Sequence, residues 1–155
     1  MRILQVAVAA AALCFVHAFT VPAASVQSAT KEEAVALVKR AIARVAEVGI
    51  VKAKAEFMDH NGKFVDRDLY LIVLDKAGIR IAHGQEPKLV GTNYYESVDA
   101  NGKEYGKEAE SIIEGPGTGW VSYVFKDPIT GKILPKECYI EKAGDYAYLA
   151  GVYTR

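Results

Sequence analysis

At 155 residues, 51% hydrophobic and 25% charged, the chain has the size and composition of one soluble domain, which argues against a two-domain enzyme. Its 19 lysines and arginines balance 19 aspartates and glutamates, so there is no basic footprint for DNA or RNA and no nucleic-acid partner is expected. The apolar residues are unevenly placed, because residues 1–29 contain one charge, Arg2, and no acid.

That first segment has a basic start, an apolar run over residues 3–19 and small residues at Ala18, Ala23, Ala24 and Ser28, the order of a secretory signal peptide. Cleavage after Ala18 and cleavage after Ala23 both satisfy the small-residue pattern. Leu13 before Cys14 argues against a lipid anchor, and the alternative to cleavage is an uncleaved membrane anchor. The expectation is a signal peptide over 1–29 and a single domain over 30–155, periplasmic or secreted, touching the membrane only if the segment is retained. Without Arg2 and Cys14, 18 basic residues face 19 acidic ones, and Cys138 remains without a disulfide partner. No second apolar run in 30–155 is long enough for a membrane, so no transmembrane relay or output domain is expected in this chain.

In chain order, Thr30-Lys31-Glu32-Glu33 is a capping box, followed by Ala34, Leu37, Val38, Ala41, Ile42 and Val45 at helical spacing and by Gly49 as a stop. A shorter helix is predicted over residues 50–58, ending at the Asp59-His60-Asn61-Gly62 turn. Residues 69–74 form a continuous apolar run, Asp75-Lys76-Ala77-Gly78 turns the chain, and residues 79–83 alternate. A four-residue turn pairs Leu74 with Ile79, Ile72 with Ile81 and Tyr70 with His83, all on one face. Residues 84–119 form a long excursion with a short helix near 107–113, the length of a lid or binding loop. Strands over 120–125 and 133–140 flank the Asp127-Pro128-Ile129-Thr130-Gly131 turn, and a last strand covers 146–153. The order reads as α+β with an antiparallel sheet.

A loop of residues 128–131 sets Tyr123 opposite Lys136 and Trp120 opposite Tyr139. Lys136 is then the single charge on a face otherwise made of Val121, Tyr123, Phe125, Leu134 and Cys138, and a buried ammonium is costly without an anion. Two readings stand: Lys136 binds the carboxylate of a ligand, or it snorkels or pairs with an internal acid. Tyr70 and His83 are amphipathic fillers or donors at the mouth of a small-ligand cavity. Ser97-x-Asp99-x-Asn101-Gly102 with Glu108 has part of a calcium-loop spacing, but its Ser and Lys are poor ligands and Asx turns explain the same letters. No catalytic constellation, phosphate loop or histidine pair of metal-ligand spacing occurs, so no enzyme activity, cofactor or metal is expected.

Leu69-Tyr70-x-x-Val73-Leu74-Asp75-x-x-Gly78, Ala82-His83-Gly84, Leu89-Val90-Gly91, Asp99-x-Asn101-Gly102, Gly119-Trp120-Val121-x-Tyr123, Asp127-Pro128-x-Thr130-Gly131-Lys132, Pro135-Lys136-x-x-Tyr139 and Gly151-Val152-Tyr153 resemble the single Cache domain family. The resemblance covers about residues 31–154. It implies a long N-terminal helix packed on a PAS-like five-stranded antiparallel sheet, with a small-molecule pocket on the side of the excursion. It also implies extracytoplasmic sensing of a short organic acid, with Tyr70, His83, Trp120, Tyr123 and Lys136 as pocket candidates. The Arg-x-Trp pattern of amino-acid-binding double Cache domains is absent. The resulting expectation is an exported binding module for a small organic anion, serving a separate membrane receptor or histidine kinase. The alternative is a structural or protein-interaction subunit with a vestigial pocket.

Overall fold

The computed structural model describes residues 27–155, so the expected signal segment lies outside the described residues apart from its last few. Thr30 caps the first helix, α1 (Lys31–Val48), by a reciprocal capping box: its hydroxyl accepts the Glu33 amide and the Glu33 carboxylate accepts the Thr30 amide. Gly49, at φ +78°, ends α1 and starts α2 (Ile50–Phe57). Ala34, Leu37, Val38 and Ala41 are buried, so the apolar stripe read from the spacing is the face α1 lays on the sheet.

The sheet is antiparallel and contains β1 (Val65–Asp66), β2 (Leu69–Leu74), β3 (Arg80–His83), β4 (Thr118–Lys126), β5 (Ile133–Ala143) and β6 (Tyr146–Tyr153). Five of these make the expected sheet in the order β3-β2-β6-β5-β4, and the two-residue β1 adds a sixth by pairing with the start of β2. Every residue of β2 is buried, as befits a central strand with both faces covered. Leu69, Leu71, Val73, Tyr148, Ala150 and Val152 pack under α1 and α2. Tyr70, Ile72, Leu74, Leu149 and Tyr153 face the opposite layer, built by the excursion and by α3 (Tyr105–Glu114).

The β4–β5 register is the one read from the sequence, with Tyr123 opposite Lys136 and Trp120 opposite Tyr139. The β2–β3 register differs. Asp75 Oδ1 accepts the amides of both Ala77 and Ile79, and Asp75 donates its own amide to the Ile79 carbonyl, so the turn absorbs Ile79. Leu74 therefore faces Arg80, and opposite the Val73–Leu74 step a bulge leaves Ile81 of β3 unpaired as a second extra residue, so that Val73 faces Ala82 and Ile72 faces His83. Ile81 packs under the helices instead of on the excursion side, and Arg80 replaces it there.

Both ends of the described chain are tied to the sheet by buried charge. Ala29 donates its amide to Asp68 Oδ1 at 2.9 Å, and Arg155 bridges Asp68 at 3.1 Å and Asp127 at 2.8 Å, both carboxylates being fully buried. Ser28 Oγ also accepts from Arg155, and Thr130 joins Asp127 at 2.6 Å.

Gly151 on β6 lies beneath the stem of Lys136, where a Cβ would stand 2.3 Å from Lys136 Cε and 3.1 Å from the Glu137 carbonyl oxygen. Gly151→Ala should destabilise the protein by about 1 to 3 kcal/mol through this overpacking. In the double variant with Lys136→Ala the loss should be smaller than the sum of the two single losses. Urea unfolding of the four proteins checks this, and additive losses would show that the two residues do not share the space.

Candidate functional site

The excursion-side layer holds two buried cations. Lys136 is 1% exposed and Arg80 5%, and among the described residues neither has a carboxylate within 4.0 Å. Of the two readings of Lys136 from sequence, pairing with an internal acid is thus not the arrangement found. The ammonium donates to Tyr70 Oη at 2.7 Å and lies 4.1 Å from the Tyr70 ring centroid, 4.8 Å from Tyr153 and 5.5 Å from Phe125. Aromatic faces and one phenol take the place of an anion.

The proton directions around Lys136 follow from the partners. Tyr153 donates its hydroxyl proton to the Lys126 carbonyl at 2.9 Å, so across the 3.1 Å contact with Tyr70 it accepts. Tyr70 consequently accepts from Lys136 and donates to Tyr153, giving a chain of defined sense from β5 through β2 and β6 to the end of β4. Burial holds the Tyr70 phenol well above its ordinary value, so it stays protonated and able to donate.

Arg80 reaches the same layer from β3. Its Nη1 donates to Thr92 Oγ1 at 2.7 Å and its Nη2 to Ser97 Oγ at 2.6 Å, while its guanidinium lies 4.6 Å from the Tyr94 ring centroid. Arg80 Nε is buried and has no partner, and neither has the buried hydroxyl of Tyr94. Tyr94 Oη lies near Tyr123 and the Cys138 thiol without reaching hydrogen-bonding geometry with either. Buried donors are nearly always satisfied, so two of them on neighbouring residues that line one cavity need an explanation.

His83 stands beside them, its ring 5.2 Å from that of Tyr70. Its Nδ1 accepts the amides of Glu86 at 2.9 Å and Gln85 at 3.3 Å, which assigns the hydrogen of the neutral ring to Nε2. Burial pushes its pKa down to about 3, with the positive charges of Lys136 and Arg80 adding to the effect. His83 is therefore a neutral donor.

Tyr70, Arg80, His83, Tyr94, Tyr105, Tyr123 and Phe125 line one small cavity, together with Ile72 and Leu89. The space open to the centre of a water molecule is about 10 Å³, room for one water. Arg80, Leu89, Tyr105 and Phe125 also line an outer groove of about 540 Å³, so the guanidinium stands between the closed cavity and the surface.

Of the residues singled out from sequence, Tyr70, His83 and Tyr123 line this cavity, and Lys136 sits behind Tyr70 without lining it. Trp120 is not brought to the cavity. Its strand parity turns it to the opposite face, where it lies against Tyr139 at 5.3 Å and under the Lys31 ammonium at 5.1 Å. Arg80, Tyr94, Thr92 and Ser97 were missed. The charge inside the alternating run 79–83 was the available signal, but a four-residue turn directs it to the wrong face. The calcium-like letters serve the sheet edge: Asp99 accepts the amides of Asn101, Lys103 and Val124, and Lys103 pairs with Glu108 and caps the Ser122 carbonyl. Among the described residues no cluster of three or more His, Cys, Asp or Glu has the arrangement of a metal site.

The buried bases carry a pH signature. Burial pushes Lys136 from 10.5 down to about 8, against weaker upward pulls from Cys138, Asp68 and Asp127. Between those values the unfolded chain holds the proton more tightly, so stability should rise with pH from about 8, at up to about 1.4 kcal/mol per unit. Below the folded value the cost of burying the charge is constant. For His83 the stability present above 6.5 should be lost as pH falls toward about 3. Urea unfolding across pH should show Lys136→Met without the alkaline rise and His83→Gln with a flatter acid limb. Parallel curves for wild type and Lys136→Met from pH 8 to about 9.5 would contradict the assignment.

The architecture has counterparts among solved structures. A methyl-accepting chemotaxis protein from Vibrio parahaemolyticus RIMD 2210633 is similar at TM-score 0.66 and 22% identity, over 79% of this chain and 87% of that one. A periplasmic sensor domain of a chemotaxis protein gives 0.61 and 24%, over 80% and 90%. A Cache chemosensory domain, solved as the structural basis for its carboxylic acid recognition, gives 0.67 and 20%, over 80% and 92%. No curated protein matches the chain. Among the described residues no helix is long and apolar enough to cross a membrane. The family described as single Cache domain 2 matches residues 19–152, nearly the whole sequence, and the chain belongs to it.

Proposed function

We propose that this chain is an exported, non-enzymatic binding module for a short organic acid, which it presents to a separate membrane receptor or histidine kinase. The observation that carries the reading is the unpartnered Nε of Arg80, a buried cation lining a cavity that is also lined by His83, a neutral donor through Nε2, and by Tyr94, whose hydroxyl is likewise unpartnered. A carboxylate offers the charge that two buried cations lack and accepts several hydrogen bonds at once. Membership in a family of sensor domains and the carboxylic acid recognised by one relative of the same fold agree with it. The signal-like pattern of residues 1–29 supports export, and the names of two relatives support a chemotaxis setting.

In this reading the cavity, which has room for one water as it stands, widens when an acid enters, toward the outer groove with which it shares Arg80 and Phe125. Arg80, His83 and Tyr94 then hold the carboxylate, and Tyr70, Tyr123 and Phe125 wall the apolar part. Lys136 acts through the Tyr70 phenol, holding positive potential behind the cavity instead of touching the acid. The near closure of the cavity favours one second reading, a protein-interaction subunit whose pocket is vestigial.

A thermal-shift and calorimetric panel of short monocarboxylates and dicarboxylates separates the two. A bound acid at a hundred times its dissociation constant should stabilise the protein by about 2.7 kcal/mol. Arg80→Gln should lose the binding, and Lys136→Met should weaken it while leaving the ligand-free protein as stable or more so, since no internal acid is stranded. Absence of a shift with every acid would support the vestigial pocket. Unchanged binding by Arg80→Gln would place the carboxylate elsewhere.

A further inference from the structure

The partners chosen by Arg80 have a consequence beyond the presence of a cation. Glu86 and Glu96 line the same outer groove as Arg80, yet the guanidinium bonds to two hydroxyls and to neither carboxylate. Thr92 Oγ1 gives its own proton to the Leu89 carbonyl at 2.6 Å, so toward Arg80 it can only accept, and its orientation is fixed. The backbone holding it is fixed as well: Arg80 donates its amide to the Thr92 carbonyl at 3.0 Å, and Gly91 donates to the Arg80 carbonyl at 2.8 Å. Ser97 comes from the far side of the excursion, where its carbonyl accepts the amide of Gly106 in α3 at 3.1 Å. Two neutral acceptors, one on each terminal nitrogen, fix the plane of the guanidinium without cancelling its charge, and the buried Nε is left over.

We infer that Thr92 and Ser97 are positioning residues, which clamp Arg80 so that its Nε edge is presented to an anion in the cavity. The inference rests on the carboxylate-binding reading above and adds to it the residues that preorganise the site. A carboxylate in place of either hydroxyl would neutralise Arg80 internally. Without the hydroxyls, an acid must itself immobilise the guanidinium, and affinity falls.

The test uses the whole folded protein and two independent readouts. In ligand-free protein the Arg80 Nε–H resonance should be narrow and protected from solvent exchange, and in the Thr92→Val/Ser97→Ala variant it should broaden and exchange. This readout needs no ligand, so it decides the clamp even if no acid binds. For affinity the probe is propionate, with propionamide as its neutral counterpart. The double variant should lose roughly tenfold or more in propionate affinity, the size expected when charge-assisted contacts are misaligned. Its weak response to propionamide should not change, and Thr92→Ser and Ser97→Thr should restore both readouts. An equally protected Nε–H in the double variant, or propionate affinity at the wild-type level, would overturn the inference. Loss of propionate binding in Arg80→Gln but not in the double variant would retain the anion site and reject the clamp.

Discussion

Positive charge buried without a carboxylate is the constraint around which this domain is organised. Lys136 and Arg80 come from strands at different places in the sheet, and both are enclosed by aromatic rings and hydroxyls. A desolvated cation is costly, so the surrounding residues must offset the cost with π faces, oriented phenols and exact placement of the stem. Gly151 is part of that arrangement, because only a residue without a side chain leaves room for the Lys136 methylenes. In the proposed function, the cost that remains is what an external anion would relieve.

The same polar contacts join the cavity wall to both ends of the described chain. Lys136, Tyr70, Tyr153 and the Lys126 carbonyl form one hydrogen-bonded run. The next residue, Asp127, pairs with Arg155, which also holds Asp68 and Ser28. Residues 28 and 29 are therefore bound into the fold, Ser28 through Arg67 and Arg155 and Ala29 through the buried Asp68. The aromatic layer and the terminal cluster share β2, since Asp68 immediately precedes the strand that carries Tyr70.

Much of this was legible from the chain because local rules and packing agree. The capping box at Thr30 and the helical spacing after it are met in α1, and the four-residue loop expected for the β4–β5 hairpin is the one that forms, so Lys136 and Tyr123 fall opposite one another as read. The β2–β3 hairpin was misread because Asp75 builds its turn with side-chain hydrogen bonds, which adds a residue and a bulge that strand alternation does not reveal. That one-residue difference moved Arg80 into the site. Trp120 shows the opposite error, a family expectation set above the parity of its own strand. Thr92, Tyr94 and Ser97 lie in an excursion with no repeating pattern, where only the folded backbone brings side chains to Arg80.

The most direct measurement of the central claim is a crystal structure of the protein grown in a high concentration of a short carboxylate. The account predicts the carboxylate in the cavity within hydrogen-bonding distance of Arg80 Nε, with Tyr94 Oη or His83 Nε2 as a further donor and Thr92 and Ser97 still on the terminal nitrogens. A carboxylate bound elsewhere, with a water alone facing Arg80 Nε, would contradict it.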